Sequence, residues 1–155
     1  MAGTLCLVPT PIGNLGDISL RAKQALEAAD FIAAEDTRVS LKLLNHLEIK
    51  KPLVSYYEHN KSFKGSQIVE RILAGENCAL VSDAGSPAIS DPGEDLVKEC
   101  AQAGITVYAI PGPCAAITAL SMSGLPTGRF TFEGFLSTTK KNRAQHLDSL
   151  RGEQR

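Results

Sequence analysis

Five short apolar runs, each leading through a loop into a helical pattern, leave this chain little choice of fold. The runs are Leu5–Val8, Phe31–Ala34, Leu53–Tyr56, 78–82 and Ile105–Ile110. Between them, residues 19–29 put Leu20, Ala25, Leu26 and Ala29 on one helical face, with Ser19 or Asp17 as the cap. Residues 37–47 turn Val39, Leu43, Leu44 and Leu47 inward, and residues 62–74 carry Ile68, Val69, Ile72 and Leu73. Helices over 94–103, ended by Gly104, and over 113–123 follow. Short apolar strands alternating with helices predict an α/β fold: a mostly parallel five-stranded sheet flanked by helices.

The punctuation is lopsided. Pro9, Pro11, Gly13, Gly16, Gly85, Pro87, Pro92, Gly93, Pro111, Gly112 and Pro113 all lie after strands and before helices, whereas the opposite junctions carry only Pro52, Gly75 and Gly104. In open α/β sheets the ligand crevice lies at the carboxyl ends of the strands, so the working edge is expected there. The stretch Val81–Gly93 is the strongest sign of it. Most strand-to-helix connections need about 2–6 residues, and this one takes about ten small, glycine- and proline-rich residues. Such a loop buries no core, and its main chain is expected to hold a ligand.

Composition limits what that ligand is. No run approaches the roughly eighteen apolar residues of a membrane span. The N-terminus shows no export signal, and Cys6, Cys78, Cys100 and Cys114 are too scattered for a zinc site or disulfide framework. A cytoplasmic protein without a bound metal is expected. The glycine-rich loops hold no lysine or arginine, and neither a phosphate-binding Gly-x-x-x-x-Gly-Lys nor a Gly-x-Gly-x-x-Gly fingerprint occurs. The loops are instead acidic, with Asp17, Glu35, Asp36, Glu58, Asp83 and Asp91. A cationic ligand held mainly by main chain, such as S-adenosylmethionine, suits them. For Asp17, Glu58 and Asp91, capping or solvated roles are expected. Cys114 stands at a helix start with no histidine near it in sequence, and reads as a small pocket-lining residue.

Charge divides the chain. Residues 1–128 carry 10 Lys and Arg against 14 Asp and Glu, whereas residues 129–155 carry 6 against 3. Residues 1–124 read as the α/β domain and 125–155 as a linker and the start of a truncated second domain. In the latter, Phe130, Phe132 and Phe135 suggest a strand face, and a basic helix spans about 138–150.

Several motifs resemble the tetrapyrrole methylase superfamily of S-adenosylmethionine-dependent transferases. Gly16-Asp17, the Gly85-Ser-Pro87 loop and the Pro111-Gly-Pro-Cys-Ala-Ala116 turn are similar to its cofactor loops. The stretches 8–17, Ala34-Glu-Asp-Thr-Arg38, Ser55-Tyr-Tyr-Glu-His-Asn60 and 82–93 further resemble the ribosomal RNA small subunit methyltransferase I family. The resemblance implies 2′-O-methylation of a cytidine ribose in 16S ribosomal RNA of the small subunit, near the decoding centre, by a homodimer of two-domain protomers. It implies a cofactor site formed by Leu15, Asp83, Ala84, Gly85, Ser86, Pro87, Ile89, Pro111, Gly112, Cys114 and Ala115. Where Ser86 and Cys114 stand, a threonine and a serine or threonine are more usual in the family. A ribose hydroxyl is a poor nucleophile, and Asp36, Glu35 and His59 are the candidate bases, with Arg38 positioning a phosphate. Two other readings stay open: a methyltransferase of a small tetrapyrrole or corrinoid precursor, and a noncatalytic module binding an adenosine ligand.

Overall fold

The computed structural model describes residues 1–153. Five strands, β1 (Thr4–Leu7), β2 (Phe31–Ala34), β3 (Leu53–Ser55), β4 (Cys78–Val81) and β5 (Thr106–Ala109), alternate with α1 (Leu20–Ala28), α2 (Thr37–His46), α3 (Lys61–Leu73) and α4 (Gly93–Gln102). Two further helices, α5 (Ala115–Met122) and α6 (Lys140–Ser149), follow. The strands form one sheet in the order β3-β2-β4-β1-β5, and every pairing is parallel. The chain separates into two compact units, Met1–Ala115 and Ala116–Arg155.

Strand order and handedness together fix which helices share a face. The connections β1-to-β2 and β2-to-β3 run toward one edge of the sheet, and those from β3 to β4 and β4 to β5 run toward the other. Right-handed crossovers then send α1 and α2 to one face and α3 and α4 to the opposite one. The core divides accordingly. Cys6, Val8, Ile32, Ala34, Ala79 and Val81 pack with Ala22, Leu26 and Leu44, while Leu5, Phe31, Ala33, Cys78 and Leu80 pack with Ile68, Ile72, Leu96 and Cys100. Alternate residues of each strand point to opposite faces, and β2 and β4 are buried on both, so continuous apolar runs were required there.

The helix pattern is rotated slightly from expectation. Ala22 and Ser40 are buried in α1 and α2, whereas Leu20 and Val39 are exposed. Leu73 of α3 is exposed as well. The inward positions 22 and 40 are thus taken by small residues. Ser19 is the cap of α1, its hydroxyl accepting the Ala22 N–H at 3.1 Å. Ser19→Ala should therefore lower stability by about 1 kcal/mol, read from the denaturant midpoint at unchanged slope. Asp17 instead ends a short 3-10 turn, Leu15–Asp17.

Residues 129–136 do not form the expected strand. Phe130, Phe132 and Phe135 are exposed on an irregular segment, because an alternating apolar face becomes a strand only with a partner to complete its hydrogen bonds. The basic helix does form, as α6, with no buried residues and with His146 Nε2 3.3 Å from Glu133 Oε2.

Candidate functional site at the carboxyl edge of the sheet

β4 lies between β2 and β1. Its outgoing chain turns to the α4 face, whereas its two neighbours send theirs to the α1–α2 face. Diverging connections open a crevice at such a point, and here one opens on each side of β4.

The β1 side is built from main chain. Thr10 and Gly85 pair back to back, with Thr10 N–H to Gly85 O at 2.9 Å and Gly85 N–H to Thr10 O at 3.0 Å. The buried Thr10 hydroxyl donates to Ser82 O at 3.1 Å, and the Ser82 hydroxyl to Gly85 O at 3.2 Å. Ser86 Oγ donates to Pro113 O at 3.1 Å, tying the loop after β4 to the loop after β5. Gly85 has φ +85°, and a Cβ on Gly112 would lie 2.2 Å from Pro9 Cγ. Both positions exclude a side chain for backbone or packing reasons. Thr10 and Ser82 were not singled out as site residues from sequence; a hydroxyl flanking each glycine-rich loop was the available signal.

Beyond that knot the loop is strained. Ala88 and Ser90 adopt left-handed conformations, φ 65° and 60°, which for non-glycine residues cost of the order of 1–3 kcal/mol each. The Asp91 carboxylate holds them there, accepting the Ala88 N–H at 2.9 Å and the Gly93 N–H at 2.8 Å. A Cβ on Gly93 would meet Asp91 Oδ1 at 2.7 Å and Leu80 Cδ2 at 2.9 Å. The turn leaves Ile89 exposed, as Leu15 is in the loop after β1. Asp83, Ala84, Pro111, Gly112 and Ala115 are also exposed, Ser86 and Cys114 are half-buried, and Gly85 and Pro87 are buried. Asp91→Ala leaves two backbone donors without their charged acceptor, an expected loss of about 1.5–3 kcal/mol in chemical unfolding. The loop should also become open to proteolysis.

The β2 side is acidic. Asp36 N–H donates to Asp83 Oδ1 at 3.1 Å, linking the loops after β2 and β4. Asp36 caps α2 through the Arg38 N–H at 2.8 Å, and its carboxylate also takes Arg38 Nε at 3.0 Å and Nη2 at 2.6 Å. Those bonds hold its pKa down to about 2. Glu35 is shifted the other way. Partial burial, then the charges of Asp83, Asp91 and Asp36, push its carboxyl above the ordinary glutamate range. It borders a cleft of about 490 Å³ with Glu58, Lys61, Ser90, Asp91, Glu94 and Asp95. A neighbouring void of about 10 Å³ is lined by Glu35, Tyr56, Ser82 and Asp91. Lys61 is already occupied, 2.8 Å from Glu58 and 2.6 Å from Asp95. His59 is exposed in the loop after β3, its ring edge-on to Tyr57 with centroids 6.3 Å apart.

Among the described residues, no group of three or more acidic, histidine or cysteine side chains is arranged to hold a metal ion. No helix among them is long and apolar enough to cross a membrane. The site thus combines a backbone-lined crevice with a neighbouring cleft of carboxylates.

Comparisons with known proteins agree with that architecture. The family profile of the Tetrapyrrole (Corrin/Porphyrin) Methylases matches residues 4–154. Ribosomal RNA small subunit methyltransferase I of Synechocystis sp. is 54% identical over 153 residues, which cover 99% of this chain and 55% of the relative. The protein of that name from Escherichia coli O157:H7 is 51% identical over 153 residues, 99% of this chain and 54% of the relative. The chain spans about half the length of these relatives. Among solved structures, a uroporphyrin-III-C-methyltransferase from Thermus thermophilus matches with a TM-score of 0.61 at 24% identity, over 81% of this chain and 55% of that one. A diphthine synthase matches with a TM-score of 0.67 at 18% identity, over 83% and 52%. These two share the fold. With the profile running from β1 past α6, the chain belongs to the tetrapyrrole methylase family.

Proposed function

We propose that this chain carries the cofactor half of a methyltransferase that uses S-adenosylmethionine to methylate a cytidine ribose 2′-hydroxyl in 16S ribosomal RNA. The working protein is a cytoplasmic homodimer acting on the small ribosomal subunit near the decoding centre. The observation that carries this reading is 54% identity to a ribosomal RNA small subunit methyltransferase I, sustained over 99% of the chain.

The crevice beside β4 fits the cofactor. Gly85 and Gly112 keep side chains out of the loops, and the knot through Thr10, Ser82 and Ser86 fixes their exposed main chain before any ligand arrives. Leu15 and Ile89 offer apolar surface to a purine ring, and Asp83, Ala84, Pro87, Pro111, Cys114 and Ala115 complete the wall. Bound there, S-adenosylmethionine supplies a methyl group already activated by its sulfonium. The protein's part is to orient a hydroxyl toward that methyl and exclude water, a proximity effect.

Glu35 is the residue we assign to accept the hydroxyl proton. A base works best with a pKa near the operating pH, and Glu35 is raised toward it. Asp36, held down to about 2 by Arg38, is a weak base and serves to set Arg38 and α2. Arg38 Nη2 is bound to Asp36 while the side chain remains largely exposed, available to a phosphate. His59, exposed in the loop after β3, serves as a substrate contact. The basic residues Lys140, Lys141 and Arg143 of the second unit provide RNA phosphate contacts.

Calorimetric titration with S-adenosylhomocysteine, followed by radiolabelled methyl transfer to small ribosomal subunits and, in parallel, to a corrinoid precursor, tests the reading. Label entering 16S ribosomal RNA supports it. Label entering only the precursor moves the site to small-molecule chemistry, and ligand binding with no transfer at the relatives' full length leaves a binding module.

A further inference from the structure

Aromatic residues make up only 5% of the chain, yet the Tyr57–Lys64 stretch exposes two large rings. Tyr57 is 42% and Phe63 is 68% exposed. Tyr57 sits in a turn tied by Asn60 that leads directly into α3, whose first turn carries Phe63. Asn60 Oδ1 accepts the Tyr57 N–H at 2.8 Å, its Nδ2 donates to Ser55 O at 3.1 Å, and its own N–H reaches Tyr57 O at 2.9 Å. Asn60 occupies the cap position of α3 but makes no side-chain cap bond, because its amide is committed to the turn. His59 braces the Tyr57 ring edge-on, and Lys64 Nζ lies 5.7 Å from the Phe63 centroid.

This turn borders the acidic cleft, since Glu58 and Lys61 belong to both. Carboxylates at Glu35, Glu58, Glu94 and Asp95 repel phosphate, so a polyanion cannot lay its backbone in the cleft. A sugar hydroxyl can enter, provided its base is held outside and its phosphates stay clear of these carboxylates; Lys64 is the cation beside the exposed Phe63 ring. Flat exposed rings beside cations suit an unstacked base, and a turn already rigid loses little freedom when one docks.

We infer that the Tyr57–Phe63 turn is a stacking platform for an unstacked base of the RNA, holding the nucleotide whose ribose enters the Glu35 cleft. The inference rests on the RNA-methylation reading above and adds the residues that take the base. Its test uses the protein at the full length of its relatives and a single-stranded RNA bearing 2-aminopurine, whose fluorescence is quenched on stacking. Tyr57→Ala and Phe63→Ala should each weaken binding roughly 5- to 150-fold, the range for loss of one base–aromatic stack. They should abolish the quenching, with S-adenosylhomocysteine affinity and thermal midpoint unchanged. Tyr57→Trp should restore both binding and quenching. Wild-type binding without quenching, or equal affinity in the alanine variants, overturns the platform and leaves the methylation reading standing. A wild-type protein that neither binds this RNA nor labels small ribosomal subunits overturns both.

Discussion

Glu35→Gln should lower methyl transfer by about 10²–10⁴-fold, the usual contribution of a positioned general base, while cofactor affinity stays within error. Glutamine keeps the size and the hydrogen-bonding edge of the residue and removes only the carboxylate. The variant therefore separates proton acceptance from shape. The pH profile supplies an independent readout. Burial and the nearby Asp83, Asp91 and Asp36 charges disfavour the ionised form, so the Glu35 pKa lies above its ordinary value. A base acts only when deprotonated. The rate should fall on the acid side with a limb displaced upward from about 4.3, the ordinary glutamate value, and that limb should vanish in Glu35→Gln. Replacing Asp91 or Asp83 by asparagine removes a neighbouring charge and should move the limb down. A Glu35→Gln enzyme with wild-type turnover would remove Glu35 from the chemistry. Asp36→Asn should act differently, because it unties α2 and Arg38 rather than removing the base. Its effect belongs mainly in KM for RNA.

Gly112→Val should weaken S-adenosylhomocysteine binding and lower methyl transfer by about 10²-fold, the cost in rate of an ångström-level misplacement. The reason lies in Pro9. Even a Cβ at position 112 falls 2.2 Å from Pro9 Cγ and 2.8 Å from Pro9 Cβ, atoms of a rigid, fully buried ring. Neither a rotamer change nor a small shift of Pro9 relieves that contact, so the loop after β5 must move. Ser86 Oγ is bonded to Pro113 O, one residue further on, and the displacement is transmitted to the loop after β4. Ser86→Ala removes only that tie and should cost far less. Calorimetry measures both, and undiminished affinity in Gly112→Val would show that the loop after β5 does not form part of the cofactor wall.

Much of this arrangement was legible in the residues. The two central strands β2 and β4 are buried on both faces and had to be continuously apolar, and the runs at 31–34 and 78–82 identified them with boundaries nearly unchanged. The glycine and proline bias toward one set of junctions pointed to the carboxyl edge, because loops that approach a ligand need small side chains. Helix orientation was less legible. Apolar periodicity selected Leu20 and Val39, but the fold buries the small residues Ala22 and Ser40 instead. The Phe130–Phe135 pattern had the right period for a strand, but periodicity supplies no hydrogen-bonding partner.

The sequence by itself determined the class of fold and the loops that keep side chains out, since these follow from local composition and short-range periodicity. Only the tertiary structure decided what the carboxylates do. Glu35 and Asp36 are adjacent in sequence, yet one is raised and the other held down to about 2. The difference arises because β4 inserts between β1 and β2, bringing Asp83 and Asp91 to Glu35, while α2 begins where Asp36 can cap it and hold Arg38. Strand order is a long-range property, set by how crossovers pack on a twisted sheet, and no local pattern encodes it.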